Sequence, residues 1–430
     1  MHKLIAFFEK PLAGEPAKRS GEIYYAILAI CAVTVVFCTP RVFYRSIIPH
    51  TELADFTGAV VIATYLFCAF VLISRNQRIN RAAIFLGLLF VYLFCRLLIL
   101  NPQIMPLVQW SLSYILVLPL AALGFDERLQ RWMIRALFLA MCLHFLVVID
   151  PTGILMERVQ ANTGLRYNYE FDQIGASAMR MNGFMVAPGH MSLVAGVGLA
   201  IGTTYFIEKR SLFGLVLAIL ALVCGLASYN RSFIGLIPII GITVLFVSFR
   251  QINATRFTLG LLGLIVLGLG VFIAWNYTDY GYRMMYRFSG EYWERSVEAR
   301  FEKVSGLGKM GNAIINNPIA GTPYYEPYMQ WFIVEYNGEA LKPHNGLFRA
   351  FAMGGVPYGI AFSAFIGLAW WRLYKSQKPL LGTEMGVTVK AGFVAFTACM
   401  AISMLESFWE HQIVLWIATL GFSASAINMR

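Results

Sequence analysis

The sequence predicts an all-α membrane protein, a bundle with about twelve transmembrane helices. The first observation is composition: 58% of the 430 residues are hydrophobic and 13% are charged, whereas a soluble domain carries about 25% charged residues. The second is that apolar runs of about 20 residues, the length of a membrane span, recur along the chain. The third is that strongly basic short loops alternate with loops that carry little charge, as in multi-pass membrane proteins.

The apolar runs are expected to be helices, because only helices satisfy the backbone of such runs in hydrocarbon. They begin near Ile23, Phe56, Ala83, Ile104, Met133, His190, Ser211, Ser232, Phe257, Gly346, Val387 and His411. They divide the chain into an N-terminal segment (1–22), five spans (23–149), a loop (150–187), four spans (188–274), a large loop (275–345) and three spans (346–430).

The basic loops predict the orientation. They contain Arg75, Arg78, Arg81, Arg128, Arg131, Lys209, Arg210, Arg250, Arg256, Arg372, Lys375 and Lys378. Basic loops stay in the cytoplasm, so both termini are expected there and both long loops outside. This asymmetry also accounts for the net charge of +11, and no nucleic-acid partner is expected because no such module is present.

Two arginines on the external side are candidate phosphate ligands. Arg231 lies in a very short turn between two spans, and Arg180 precedes a turn that contains Gly183 and Pro188. Each has an ordinary alternative: Arg231 at the headgroups and Arg180 as a solvated loop charge. Arginine offers a planar fork of donors that suits a diphosphate, and two cations would stabilise a diphosphate leaving group.

A histidine stands where the large loop re-enters the membrane. His344 lies between Pro343 and Asn345, where it is either structural or a general base for a sugar hydroxyl, since its pKa lies near neutral. No clustered acidic or histidine ligands accompany it, so neither a metal nor another cofactor is expected.

The large loop is rich in aromatic and basic residues. Tyr324, Tyr325, Trp331 and Arg300 are the candidates for glycan contact, because aromatic rings pack on sugar faces and tyrosine hydroxyls form hydrogen bonds. The alternative is an interfacial belt of Trp and Tyr. A helix is expected from Tyr292 to Lys309, with Pro318 ending the helical region.

Three motifs in order resemble a known family. They are the segment Arg180-Met181-Asn182-Gly183-Phe184, the turn Ser228 to Arg231, and the ending formed by Asn317-Pro318-Ile319-Ala320-Gly321, Pro343-His344-Asn345-Gly346-Leu347 and Gly355-Val356-Pro357-Tyr358-Gly359. Together they resemble the superfamily of O-antigen polymerases and ligases, bacterial glycosyltransferases of the inner membrane. The sequence departs from the family pattern in two places: Gly321-Thr322-Pro323 replaces the usual Gly-x-Gly, and Gly189-His190 replaces the Asn often found after Pro188.

The resemblance implies a GT-C-like helical fold with a periplasmic active site. It implies an undecaprenyl-diphosphate-linked glycan as donor and inverting, metal-independent transfer. Carried onto this sequence, Arg180 and Arg231 would hold the donor diphosphate, His344 would activate or position the acceptor, and Asn345 would orient His344 or the acceptor.

Three functions remain open at this stage. A polymerase would join lipid-linked repeat units of O-antigen or exopolysaccharide. A ligase would transfer the finished glycan to the lipid A-core of lipopolysaccharide. A glycolipid flippase is the alternative of another class, but it would be expected to carry more charge within its spans. Partners are thus the lipid-linked glycan, an acceptor glycan or lipid A-core, and membrane lipids, with a chain-length regulator left open.

Overall fold

The structure is a computed structural model that describes residues 22–76, 80–100, 104–124, 126–163, 181, 183–185, 187–248, 307–326, 331–337, 339–341, 345–378, 380, 383–404 and 411–424. Its first helices are α1 (Glu22–Val35), α2 (Pro40–Ile47), α3 (Thr51–Asn76), α4 (Arg81–Leu100), α5 (Ile104–Leu123), α6 (Glu127–Val148) and α7 (Ile154–Thr163). Then come α8 (Pro188–Lys209), α9 (Leu212–Ala227), α10 (Arg231–Ser248) and α11 (Leu307–Asn316). The strands β1 (Pro323–Glu326), β2 (Trp331–Tyr336) and β3 (Glu339–Leu341) precede α12 (Gly346–Ser376), α13 (Glu384–Ser403) and α14 (Gln412–Ala424).

The chain is a helical membrane protein. Within the described residues, seven helices are long and apolar enough to cross a membrane, namely α3, α4, α6, α8, α10, α12 and α13. The bent pair α1–α2 adds an eighth if it crosses as one span, and shorter apolar helices occupy Ser111–Leu123, Leu212–Ala227 and Gln412–Gly421. Every predicted apolar run starts in or beside one of these helices, except the run near Phe257, which lies outside the described residues. The count of about twelve spans stays a prediction.

The pair α1–α2 is sharply bent, and side chains from other helices bind the backbone at the bend. α1 and α2 meet at 86°, with Pro40 at the start of α2, where its missing N–H costs no helical hydrogen bond. The backbone carbonyls near the end of α1 need partners. Gln412 Nε2 donates to the Val36 carbonyl at 3.2 Å, and His144 Nε2 donates to the Phe37 carbonyl at 2.9 Å.

Several basic loops lie at one end of the bundle. Near the start of α1, the Tyr25 hydroxyl donates to Asp126, which caps α6, and the Arg75 guanidinium lies 4.8 Å from the Tyr24 ring centroid. At the end of α8, Lys209 pairs with Glu384 at the start of α13. We call this end, with the starts of α1, α6 and α13 and the ends of α3 and α8, the basic-loop end.

Two ion pairs join α8 to α13 near the basic-loop end. Lys209–Glu384 and Lys390–Glu208 have the same N–O distance, 2.8 Å. The side chains of Lys390 and Glu208 are only 3% and 5% exposed, against 32% and 63% for Lys209 and Glu384. Glu208 also accepts a hydrogen bond from the Ser248 hydroxyl at 2.6 Å, so α10 joins the buried network.

This contrast in burial gives a stability prediction. Lys390→Met should lower the free energy of unfolding by about 3–5 kcal/mol, because it leaves Glu208 buried without its cation. The matched variant Lys209→Met should cost about 0–1 kcal/mol, because an exposed pair contributes little. Thermal unfolding of both variants in one detergent measures the difference. Equal losses would mean that burial does not govern the strength of these pairs.

The long helix α12 is also broken. Gly355 has non-helical torsion angles, φ 78° and ψ 174°. The turn that follows α11 packs into this break: the Val356 N–H donates to the Pro318 carbonyl at 2.6 Å, and the Thr322 N–H donates to the Ala352 carbonyl at 2.7 Å. Backbone groups freed by the break are therefore satisfied within the protein, as membrane-embedded backbone requires.

Side chains of α4 also form hydrogen bonds with the turn that follows α11. Arg96 donates from Nε and Nη2 to the Ala320 carbonyl at 3.1 and 2.9 Å. The Tyr92 hydroxyl donates to the Ile319 and Gly354 carbonyls at 3.2 and 2.9 Å. Two parts of the ending that carries the resemblance, 317–321 and 355–359, thus meet at the break in α12 and pack against each other there.

Part of the large loop folds into a helix and a small sheet. α11 ends at Asn316, two residues before Pro318; the predicted helix from Tyr292 lies outside the described residues up to 306. The strands form an antiparallel sheet in the order β1-β2-β3. Val334 in β2 is fully buried, so the sheet is packed against the bundle instead of standing free.

Candidate functional site

The Arg231 turn is a tight connection between α9 and α10. Arg231 is the first residue of α10 and is half-buried. Asn230 caps the helix, since its Oδ1 accepts from the Ser232 N–H at 2.9 Å. Tyr229 has a φ of +49°, a conformation that costs energy for a non-glycine residue and is enriched at functional sites.

Two further contacts fix this turn in the bundle. The Ser228 and Ser192 hydroxyls lie 2.8 Å apart, which ties the turn to the first turns of α8. The Met181 N–H donates to the Ala227 carbonyl at 3.1 Å. Arg180 lies outside the described residues, but it precedes Met181 in the chain. The structure therefore brings the backbone next to one predicted arginine into contact with the turn that carries the other.

The start of α12 is anchored by Asn345. Its Oδ1 accepts from the N–H groups of Leu347 and Phe348 at 2.9 and 3.2 Å, which makes it the N-cap. Its Nδ2 donates to the Met404 carbonyl at 3.3 Å, at the end of α13. His344 lies outside the described residues. The observed role of Asn345 is to fix the helix that His344 precedes, and its proposed role toward the acceptor stays a prediction.

Arg349, one turn after Asn345, was not singled out from the sequence. Its side chain is only 4% exposed, and its Nε lies 3.2 Å from Met353 Sδ. Charged residues within spans commonly mark substrate paths. The sequence could have indicated Arg349 as a candidate, because it lies four residues, about one helical turn, after Asn345.

Four helices begin at the same end of the bundle. α8 and α13 run antiparallel, because the Lys209–Glu384 pair joins the end of one to the start of the other. The start of α12 contacts the end of α13 through Asn345, and the turn before α10 contacts α8 through Ser192. The start of α14 meets α8 where the rings of His190 and His411 lie 5.0 Å apart. We call this the Arg231 end.

The Arg231 end suits an anion. Each helix N-terminus carries a partial positive charge, roughly half an elementary charge, and exposed backbone N–H groups at such ends bind phosphates. Arg231 stands at the first position of α10, where a cation opposes the helix dipole. An anion bound at this end would offset that unfavourable interaction.

The histidine pair adds titratable groups at this end. His411 Nδ1 accepts from the Ile413 N–H at 3.3 Å. Burial lowers the pKa of the His411 imidazole well below its usual range, and the neighbouring His190 lowers this pKa further. His411 is therefore neutral near pH 7. Glu406 and Glu410, which the sequence places near it, lie outside the described residues.

The predicted glycan-contact residues of the large loop fall on the sheet or outside the described residues. Tyr324 and Tyr325 lie in β1, where they pair with Ile333 and Phe332, and Trp331 begins β2 opposite Glu326. By strand alternation, the positions of Tyr324 and Trp331 share one face of the sheet. Tyr325 is on the other face, which is the face of the buried Val334. Arg300 lies outside the described residues.

The described part of the site is thus the end of the bundle at which α8, α10, α12 and α14 begin, with Arg231 at the first position of α10. The Met181 backbone and Asn345, the chain neighbours of Arg180 and His344, lie at the same end of the bundle. Such an arrangement can bind an anionic group beside the ends of several helices.

Compared with known protein families and with curated proteins, the chain matches none.

Proposed function

We propose that the protein is a membrane glycosyltransferase that takes its glycan from a polyprenyl diphosphate, and that it acts as a polysaccharide polymerase. The observation that carries this proposal is Arg231 at the first position of α10, at the end of the bundle where α8, α12 and α14 also start. Three motifs resembling O-antigen polymerases and ligases support the same reading. A lipid-linked diphosphate matches both the charge of this end and the hydrocarbon around the bundle.

In the proposed reaction, the acceptor hydroxyl attacks the anomeric carbon of the donor sugar. The new C–O bond forms on the face opposite the diphosphate, and the bond between that carbon and the diphosphate oxygen breaks, with inversion at the carbon. Arg231 and Arg180 neutralise the charge that develops on the leaving diphosphate. His344 accepts the proton of the acceptor hydroxyl.

The finer topology belongs to the same proposal. About twelve spans with a GT-C-like arrangement would place both termini and the basic-loop end in the cytoplasm. The Arg231 end would then face the periplasm of a bacterial inner membrane. Tyr324, Tyr325, Trp331 and Arg300 would contact the glycan from the large loop, and undecaprenyl would run between helices.

A transporter is a weaker reading of the same fold. Broken helices are typical of transporters, whose substrates and ions bind at the break. In α12, however, the described backbone groups beside Gly355 are taken by Pro318, Thr322 and Tyr92. The break is filled by protein groups, which favours a rigid support over a transport site.

Reconstitution of the purified protein tests the proposal. The protein is supplied with a lipid diphosphate-linked repeat unit, with and without lipid A-core, alongside His344→Ala. We expect a ladder of products without lipid A-core and loss of about 10²–10⁴ in rate for the variant, the usual contribution of a general base. Product only with lipid A-core would assign a ligase. No transfer by folded protein with the correct donor would overturn the enzyme reading.

A further inference from the structure

A buried histidine connects the bend between α1 and α2 to the segment that contains Phe184. His144 lies near the end of α6 and is 0% exposed. The Phe184 N–H donates to its Nδ1 at 3.0 Å, and its Nε2 donates to the Phe37 carbonyl at 2.9 Å. Because Nδ1 accepts and Nε2 donates, the ring is the neutral tautomer with its proton on Nε2.

We propose that His144 is a positioning residue for the donor site: its bond to Phe184 fixes the segment that Met181 attaches to the Arg231 turn. This inference rests on the proposed function, since it assigns His144 a part in holding a diphosphate ligand. His144 itself does not touch the substrate; it acts through the backbone.

The contacts around Phe184 leave this segment little freedom. The Phe184 carbonyl accepts from the Thr39 N–H at 2.9 Å. Its ring is 2% exposed and packs edge-on against Phe43, with centroids 4.8 Å apart. One residue earlier, Gly183 has a φ of +51°, and a Cβ there would lie 2.4 Å from His144 Nδ1. Only glycine allows the backbone to approach the imidazole this closely.

The second attachment of the segment is at the Arg231 turn. Met181, three residues before Phe184, donates its N–H to the Ala227 carbonyl at 3.1 Å. The chain between the two attachments is short, so the position of Phe184 limits where Met181 can lie. His144 therefore supports, through Phe184 and Met181, the turn that carries Arg231, and the grip of Arg231 on a diphosphate depends on how firmly that turn is held.

Two amide substitutions separate the two hydrogen bonds of His144. In His144→Asn, the side-chain carbonyl takes the place of Nδ1 and can still accept from Phe184. In His144→Gln, the side-chain amide reaches the place of Nε2 and can donate to Phe37, but the acceptor for Phe184 is lost. Both variants remove the ring, so each is the other's control for lost packing.

Hydrogen exchange of the peptide containing Phe184 and steady-state transfer would be measured for wild type and both variants. We expect His144→Gln to speed amide exchange about tenfold and to lower kcat about tenfold or more. His144→Asn should stay within about threefold of wild type in both measurements. Rescue by asparagine but not by glutamine would assign the effect to the Phe184 bond instead of to general stability.

The remaining outcomes are also decisive. Unchanged exchange in His144→Gln would overturn the anchor, whatever the protein catalyses. Faster exchange with full transfer activity would overturn the positioning role. If wild type transfers no glycan from a lipid diphosphate, the proposed function fails, and with it the link from His144 to a donor site, while the exchange data still report the anchor separately.

Discussion

Replacing Arg231 with alanine is expected to lower the transfer rate by a factor of about 10²–10³, the usual loss when one charge-stabilising donor is removed from an active site. Arg231 begins α10 among the starts of other helices, and its guanidinium would meet the diphosphate as negative charge builds there. The measurement is kcat/KM with a lipid diphosphate donor, together with thermal unfolding to verify folding.

Two further variants test whether the loss of transfer is specific to the guanidinium of Arg231. Arg131→Ala removes an arginine at the basic-loop end, where the side chain is 49% exposed and its pair with Glu127 spans 4.0 Å, so transfer should not change. Arg231→Lys keeps the charge but loses the planar fork, and it should recover only part of the activity. Near-normal transfer by Arg231→Ala would place the donor site elsewhere in the protein.

The second large effect is expected at the break in α12. Gly355→Ala should lower the free energy of unfolding by about 3 kcal/mol or more, because φ 78° and ψ 174° fall in a region open essentially only to glycine. The new Cβ would also lie 2.2 Å from the Ile319 carbonyl oxygen. That oxygen belongs to the backbone of the turn that fills the break, so it cannot move away alone.

Gly367 provides the matched control within the same helix. A Cβ at Gly367 would meet nothing within 4 Å, so Gly367→Ala should be neutral or stabilise the protein by about 0.5–1 kcal/mol. Thermal unfolding of both variants in the same detergent compares them directly. Equal melting temperatures would mean that the bend at Gly355 does not contribute to the folded state.

The positions of the described apolar helices could be predicted from the sequence, because a membrane span is recognised by the length and apolar content of a run of residues. The start of α12 at Gly346 and of α5 at Ile104 follow directly from the hydrophobic runs. A hydropathy pattern does not show where a helix bends or breaks. The 86° bend before Pro40 and the break at Gly355 were therefore not predicted, although both contain residues that often interrupt helices.

The site was predictable only in part for a similar reason. Arg231 stood out because a basic residue in a short external turn runs against charge asymmetry. His144 lies among apolar residues of α6 and its partners are 40 and 107 residues away in the chain, so spacing along the sequence could not reveal it. The small sheet was missed because its strands are short and lie in a loop rich in aromatic residues.

The buried pair of Lys390 and Glu208 has a consequence for biosynthesis. Lys390 lies nearly two turns inside α13, and an unpaired lysine within a span opposes insertion, with a cost that reaches about 2.5–3.5 kcal/mol at the centre. Glu208, which offsets that cost, lies 182 residues earlier in the chain and is already made when α13 leaves the ribosome. We therefore expect α13 to insert more readily once α8 is in place.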